Sequence, residues 1–413
     1  MATYIVRGGK PLHGRVQISG AKNAAIPILL ATAAAGGRCV IADVPELSDI
    51  TAVVDLLRHL GARVEPDYVI EPTLTTSAIP PELAGRIRMS LILLGPLVNR
   101  FGEASTASPG GCDIGDRPID FHLAGLRAMG ARIEEAGARI VCRAERLRGA
   151  EIHLPLPSVG ATHHMLLAAC LADGDTFIHN AAREPEVVQL AEFLNLMGAR
   201  ITGVGTPEIH IRGVRQLGGA EITLIPDRIE AGTYLLAAAA AGGDVTVGGA
   251  RADHLDSLLR VLRRGGCELS ITAQSVRLRA TGRPNPLDIT TAPFPGFPTD
   301  LQSPALAWLL RANGTCRVED PVFPDRFGVV SELRKLGAQV TTESGRAFVT
   351  GVARTSGTVL RAAPDLRGAA ALLVAALAAD GETTIRDAAA LARGYADLAV
   401  RLQSLGAAVE APA

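Results

Sequence analysis

Six times along this chain a helix-like stretch closes on the same signature, and each time a short strand-like run follows. The pivots are Gly61 (LGARV), Gly130 (MGARI), Gly198 (MGARI), Gly266 (GGCEL), Gly337 (LGAQV) and Gly406 (LGAAV), at successive intervals of 69, 68, 68, 71 and 69 residues. A second series, Gly37, Gly102, Gly174, Gly243, Gly314 and Gly381, closes Ala/Leu-rich runs on the same beat. Self-similarity at a fixed period means one supersecondary unit copied along the chain. Residues that break the repeat are therefore not explained by the fold alone.

Each copy reads alike. An Ala/Leu helix runs into Gly, a β-branched strand follows (TFIHNA, TTIRDA), a second helix ends at the LGA glycine, and another strand closes the unit. Glycine in that C′-like position supplies a left-handed exit from the helix. Helices and strands in such alternation predict an α/β fold of packed layers. At 413 residues the chain exceeds one ordinary core, and six copies divide into two groups of three. Turn-forming residues cluster at 19–22 and 225–228. They predict one domain over 21–226, carrying the Cys112 loop, and a discontinuous one of 1–20 plus 227–413. The strand-like TYIVRG and GRVQIS near the start are then available to the last three copies.

A formal net charge of −1 gives no whole-molecule attraction for nucleic acid or anionic membranes. Anion binding requires a local cluster. The start, MATYIVRGGK, shows no basic segment followed by an apolar stretch, and apolar runs such as 369–379 are about half the ~20 residues of a membrane helix. The expectation is a cytoplasmic protein with no obligate protein partner. The six cysteines form no CxxC pair; five lie in apolar or strand-like contexts, and Cys112 lies in the loop PGGCDIGDRP. The nine histidines are scattered, and the adjacent pair His163-His164 lacks the i, i+4 spacing that puts two ligands on one helix face. No metal site is expected.

Three segments break the repeat. SGAKNAAIPILLA sets Ser19, Lys22 and Asn23 before an apolar helix, and Lys22 is one of only three lysines beside 38 arginines among the 41 basic residues. A helix start is a ready anion site, and an ammonium is a compact charge that also exchanges a proton. Capping by Ser19 or Asn23 is the simpler reading. PGGCDIGDRPIDFH carries a thiol among glycines with Arg117 nearby, opposed by Asp113 and Asp116. FPTDLQSPALAW places Asp300 at a helix start, as either an N-cap or a general base aimed into a cleft. Arg326, Arg367 and Arg393 stand at unit boundaries, with Arg88 a further cation of the same kind. Cations, one carboxylate and one loop thiol suit a substrate bearing phosphate and carboxylate groups. No GxxxxGK[ST] or GxGxxG motif follows a strand, so ordinary ATP or NAD binding is not indicated.

With SGAKNAAIPILLA, RMSLILLGPLVNRFG, PGGCDIGDRPID, SVGATHHMLLAA, AREPEVV, LIPDRIEAGT, FPTDLQ, DLRGAA and ARGY in this order, the chain resembles the UDP-N-acetylglucosamine 1-carboxyvinyltransferases, a branch of the enolpyruvyl transferase superfamily. The resemblance implies two domains of three βαβαββ repeats each in an inverted α/β barrel-like arrangement. It implies transfer of the enolpyruvyl group of phosphoenolpyruvate to the 3′-hydroxyl of UDP-N-acetylglucosamine by addition–elimination, with release of phosphate and no cofactor. That step opens peptidoglycan synthesis, on which cell wall, cell shape and division depend. Lys22, Arg88, Arg117, Arg326, Arg367 and Arg393 match cations that hold phosphoenolpyruvate or shape the closed site. Asp300 matches the carboxylate near the sugar hydroxyl, and Cys112 the lid thiol that moves a proton and is captured by fosfomycin. Asn23, Arg117, Pro118, Ile119, Asp120, Phe121, Ser158, Val159, Gly160 and Val322 fall on positions contacting the UDP-sugar. The chain departs from the family at Ala392, Leu156 and Pro324. Two other readings are a paralogue acting on another acceptor, such as shikimate-3-phosphate, and a UDP-sugar binder without turnover.

Overall fold

The computed structural model describes residues 2–108, 110, 119–362 and 365–411. Two compact units result, one of residues 20–110 with 119–225 and one of residues 2–19 with 226–411. Cys112, Arg117 and Pro118 lie outside the described residues.

The repeat is plainest at 151–212. Strand Glu151–His153 leads through helix Val159–Ala169 to strand Asp175–His179, which runs parallel to it. Helix Pro185–Leu196 then leads to the hairpin Arg200–Thr202 and Glu208–Arg212, whose second arm pairs antiparallel with Asp175–His179. Parallel strands need a crossover and antiparallel neighbours only a turn, so the order βαβαββ is the local chemistry of two helical crossovers and one hairpin. The strands Asp288–Thr290, Thr315–Glu319, Arg346–Thr350 and Gln339–Glu343 repeat the same arrangement. Among the described residues there are five four-stranded sheets and one of three strands. In that last sheet a single parallel bridge, Ala78 to Ser105, stands where a fourth strand belongs.

The ends of the chain complete sheets begun elsewhere. Tyr4–Arg7 lies between Glu382–Arg386 and Ala408–Glu410, antiparallel to both. Leu12–Gln17 runs parallel to Gly243–Gly248.

Two kinds of helix follow from two sequence patterns. In the unit holding residues 226–411, Arg228–Ala241, Gln302–Leu309 and Leu366–Ala378 pack on one another. Every residue of Leu366–Ala378 is buried, as an element apolar on all sides must be. In the other unit, Lys22–Ala31, the 3-10 turn Arg88–Leu93 running into Leu94–Phe101, and Val159–Ala169 play this inner part. The second helix of a repeat is amphipathic. Asp256–Arg264 buries Leu258, Leu259, Val261 and Leu262 and exposes Asp256, Arg260, Arg263 and Arg264. The sheets alternate buried and exposed residues, one face on the helices and one on solvent. All six pivot glycines have φ between +88° and +103°, the left-handed exit that glycine alone adopts without strain. In the second series Gly37 is the exception, and the other five have positive φ.

The segment at Ser19 is tied down by one buried carboxylate. Glu230, in the first turn of Arg228–Ala241, accepts the Ser19 N–H at 2.8 Å and Arg401 Nη1 at 2.9 Å. Arg401 also donates to the Gln17 carbonyl and to Ser19 Oγ, each at 2.8 Å, while the Asp227 N–H reaches the Ser19 carbonyl at 2.9 Å. Burial, with Asp227 beside it, pushes the Glu230 carboxyl up from 4.5 to about 7 against the pull of Ser19 and Arg401.

A carboxyl whose folded pKa is raised binds more protons folded than unfolded between the two values, so its contribution to stability falls as pH rises from about 4.5 to about 7. Glu230→Gln, which keeps an acceptor for Ser19, is expected to remove a loss of about 3 kcal/mol across that window. Urea unfolding midpoints for both proteins against pH measure this. Parallel curves rule it out.

Candidate active site

The inner helices are mostly apolar along their length, and the singled-out residues stand at or near their starts. In the unit holding residues 226–411, Asp365 caps Leu366–Ala378 by accepting the Arg367 and Gly368 N–H groups at 3.1 Å each. Asp300 sits inside the 3-10 turn Thr299–Leu301 ahead of Gln302–Leu309, and the capping positions of these two elements are Pro298 and Leu301, so the N-cap reading is set aside. Its Oδ1 accepts Arg326 Nη1 at 2.8 Å, and its Oδ2 accepts Arg367 Nη2 at 3.1 Å and Nε at 3.2 Å. Arg326 bridges back to both oxygens of Asp365, at 3.2 and 3.3 Å.

The two arginine side chains are 4% and 3% exposed and the Asp300 side chain 27%. The cations are fixed inside and the carboxylate between them meets solvent. Burial disfavours the charge on Arg326, but Asp300 and Asp365 outweigh it and hold its pKa above the usual value. Burial likewise opposes the charge on Arg367, where Tyr395, Asp300 and Asp227 prevail. Tyr395 presents its ring 5.3 Å from the Arg367 guanidinium carbon, and its hydroxyl meets Thr233 Oγ1 at 2.9 Å. Val322 and Arg393 belong to the same unit, both half-buried, Arg393 at the end of the 3-10 turn Ala388–Arg393.

In the unit holding residues 20–225, Lys22 opens Lys22–Ala31 and meets Asp49 at 2.7 Å, with both side chains about one-tenth exposed (10% and 8%). Neither Ser19 nor Asn23 caps that helix; the capping position is Ala21, and Ser19 Oγ serves Arg401 instead. Arg88 opens the 3-10 turn Arg88–Leu93, and Ser158 caps Val159–Ala169 by accepting the Ala161 N–H at 3.3 Å. The first turns of these three elements hold no acidic residue, so their N–H groups and positive dipole ends are not neutralised from within. Ile119 precedes the helix Asp120–Ala128, which begins with the exposed Asp120 and half-buried Phe121. In the same first turn, His122 Nδ1 meets His164 Nδ1 at 3.1 Å beside Gly160. Burial, then His122, holds His164 well below the usual histidine range.

Five thiols are core residues. Cys39, Cys142, Cys170, Cys267 and Cys316 are buried, and burial pushes Cys142 up to about 11 and Cys170 and Cys267 up to about 12. Such thiols are not nucleophiles at neutral pH.

Residues 6–402 match the family model of EPSP synthase (3-phosphoshikimate 1-carboxyvinyltransferase). The chain belongs to this family of enolpyruvyl transferases. It is 45% identical to UDP-N-acetylglucosamine 1-carboxyvinyltransferase 1 of Carboxydothermus hydrogenoformans, over 99% of this chain and 98% of that one. To the UDP-N-acetylglucosamine 1-carboxyvinyltransferase of Halothermothrix orenii it is 44% identical, over 98% and 99%. Among solved structures, the enolpyruvyl transferase NikO from Streptomyces tendae superimposes with a TM-score of 0.89 at 27% identity, covering 99% of this chain and 98% of that one. EPSP synthase from Acinetobacter baumannii, at 19% identity and a TM-score of 0.75 over the whole of both chains, shares the fold.

Asp49, Asp365, Tyr395 and His122 do not stand out in the sequence of this enolpyruvyl transferase, and His164 does so only as one of an adjacent pair. Asp365 carried a signal, since Asp before an Ala/Leu helix is a capping pattern. The others reach their places through packing between elements and leave no local trace.

Asp365→Ala removes a cap and one of the carboxylates on buried Arg326. Breaking a buried ion pair from one side costs about 3–5 kcal/mol, so a large fall in the urea midpoint is expected. Asp365→Asn, which keeps an oxygen for the cap, is expected to lose less. A midpoint of Asp365→Ala equal to that of the parent chain refutes the pairing.

Proposed function

We propose that this chain transfers the enolpyruvyl group of phosphoenolpyruvate to the 3′-hydroxyl of UDP-N-acetylglucosamine, releasing phosphate. One observation supports the chemistry above all: Asp300, solvent-accessible at an inner-helix start, is locked between two buried guanidinium groups. The acceptor follows from the near-full-length identity to relatives of that name.

In this reading the acceptor oxygen bonds to C2 of phosphoenolpyruvate while a proton is added at C3. Asp300 accepts the hydroxyl proton, and its fixed position means little reorganisation when the proton arrives. Phosphate then leaves C2 as a proton leaves C3, which restores the vinyl group. Lys22, Arg88, Arg117 and Arg393 hold the phosphate and carboxylate of the donor, and Arg326 and Arg367 hold Asp300 as well as shaping the anion site. Cys112 serves proton transfer and product release. Asn23, Pro118, Ile119, Asp120, Phe121, Ser158, Val159, Gly160 and Val322 receive the UDP-sugar. Among the described residues no helix is long and apolar enough to cross a membrane. Both substrates are metabolites of the cytoplasm, where we place the reaction.

Leu156, half exposed two residues before Ser158, leaves room for a different acceptor. Phosphate release from phosphoenolpyruvate, assayed with UDP-N-acetylglucosamine or with shikimate-3-phosphate, decides. Release with the first is expected; UDP-sugar binding with release from neither leaves a binder. Asp300→Ala is expected to lower kcat by at least about 100-fold with KM little changed, as for a group used in the chemical step. A normal kcat removes Asp300 from the mechanism. Cys112→Ser is expected to abolish covalent capture of fosfomycin, read by mass spectrometry, with UDP-sugar binding retained. Equal labelling excludes this thiol as the target.

A further inference from the structure

The sheet built from 151–212 turns a row of isoleucines inward, Ile152, Ile178 and Ile209, all 5% exposed or less. Period-two alternation then sets their neighbours on the solvent face. His153 stands in register with His179 of the adjacent parallel strand, and His179 with Glu208 of the next. Glu151, two residues before His153, shares that face. Four residues of metal-ligating type thus meet on three neighbouring strands, remote in sequence from every residue assigned above except Ser158 and its neighbours.

Their geometry is specific. The two imidazoles stack with centroids 4.2 Å apart and planes 11° from parallel. Glu151 Oε2 lies 3.9 Å from His153 Nε2. One ligand atom each from Glu151, His153 and His179 fall within 4.8 Å of one another. His179 Nδ1 is held by Glu208, whereas its Nε2 is buried and has no hydrogen-bond partner. A ring nitrogen shut from water without a partner is costly unless something binds it. A histidine whose other nitrogen is anchored by a carboxylate is the usual support of a metal ligand, because the anchor sets the tautomer and raises basicity.

We propose that Glu151, His153 and His179 form a surface site for one divalent transition ion of the zinc class, with Glu208 orienting His179. Two imidazoles and one carboxylate suit zinc and disfavour magnesium or calcium, which prefer oxygen ligands throughout. Tetrahedral zinc needs ligand atoms about 3.4 Å apart. Rotation of the Glu151 and His153 side chains, each 71% exposed, closes the remaining gap without moving backbone. Glu151–His153 is the edge strand of its sheet, so the ion would clasp that edge to its neighbour.

Zinc titration of the full chain by calorimetry, with cobalt absorption as a second readout, tests the site. One equivalent is expected to bind, giving tetrahedral cobalt bands without thiolate charge transfer. Magnesium in excess should not displace it. His153→Gln is expected to abolish this equivalent, and Glu208→Gln, which removes only the anchor, to weaken it about 10–100-fold. Phosphate release and circular dichroism of His153→Gln should match the parent chain, which separates loss of the site from misfolding. Absence of zinc uptake, uptake unchanged in His153→Gln, or displacement by magnesium each overturns the proposal.

Discussion

A helix that is apolar on every side has to be enclosed, and this chain contains such helices in each of its units. Leu366–Ala378 buries all of its residues, and Lys22–Ala31 and Val159–Ala169 nearly all of theirs. Enclosure dictates the rest of the repeat. One amphipathic helix and a sheet with a single buried face are the cheapest cover for a wholly apolar rod, and three rods per unit share the cover among themselves.

The same constraint locates the chemistry. Few polar side chains lie along an inner helix, yet its first turn leaves N–H groups that need partners. In the unit holding residues 226–411 carboxylates meet this need, with Asp227 and Asp365 as caps, and these in turn draw in arginines. In the other unit the corresponding starts carry Lys22, Arg88 and a neutral Ser158. One architecture therefore presents acid-lined and anion-seeking helix ends from copies of a single template.

Much of this was legible in residues. The pivot glycines could be read because a left-handed exit excludes nearly every other side chain, and all six have the positive φ that the pattern implies. Asp300, Arg326 and Arg367 stood out as interruptions of a repeat. Their convergence on one carboxylate did not, since it is made by packing between helices and between residues 26 to 67 positions apart. Spacing along one helix face cannot reveal His153 beside His179, which lie on neighbouring strands. Register across strands is fixed by the inward isoleucines, and only the two-residue step from Glu151 to His153 hinted at a shared strand face. Cys112, the most conspicuous of the sequence signals, belongs to residues outside those described.

The terminal strands bear on the order in which the molecule is made. Leu12–Gln17 pairs with Gly243–Gly248, and Tyr4–Arg7 with strands at 382–386 and 408–410. Residues 20–225 contain every strand of their own sheets, including Glu221–Thr223 beside Cys39–Ala42. On the ribosome that unit has all its partners before residues 226–411 are synthesised, whereas the strands at 4–17 wait for partners in that later segment. Long-range pairing of this kind carries a loop-closure cost and slows folding, and the intervening unit reduces that cost by collapsing the loop beforehand. The strands at 4–17 are thus seated only after the unit that follows them in sequence.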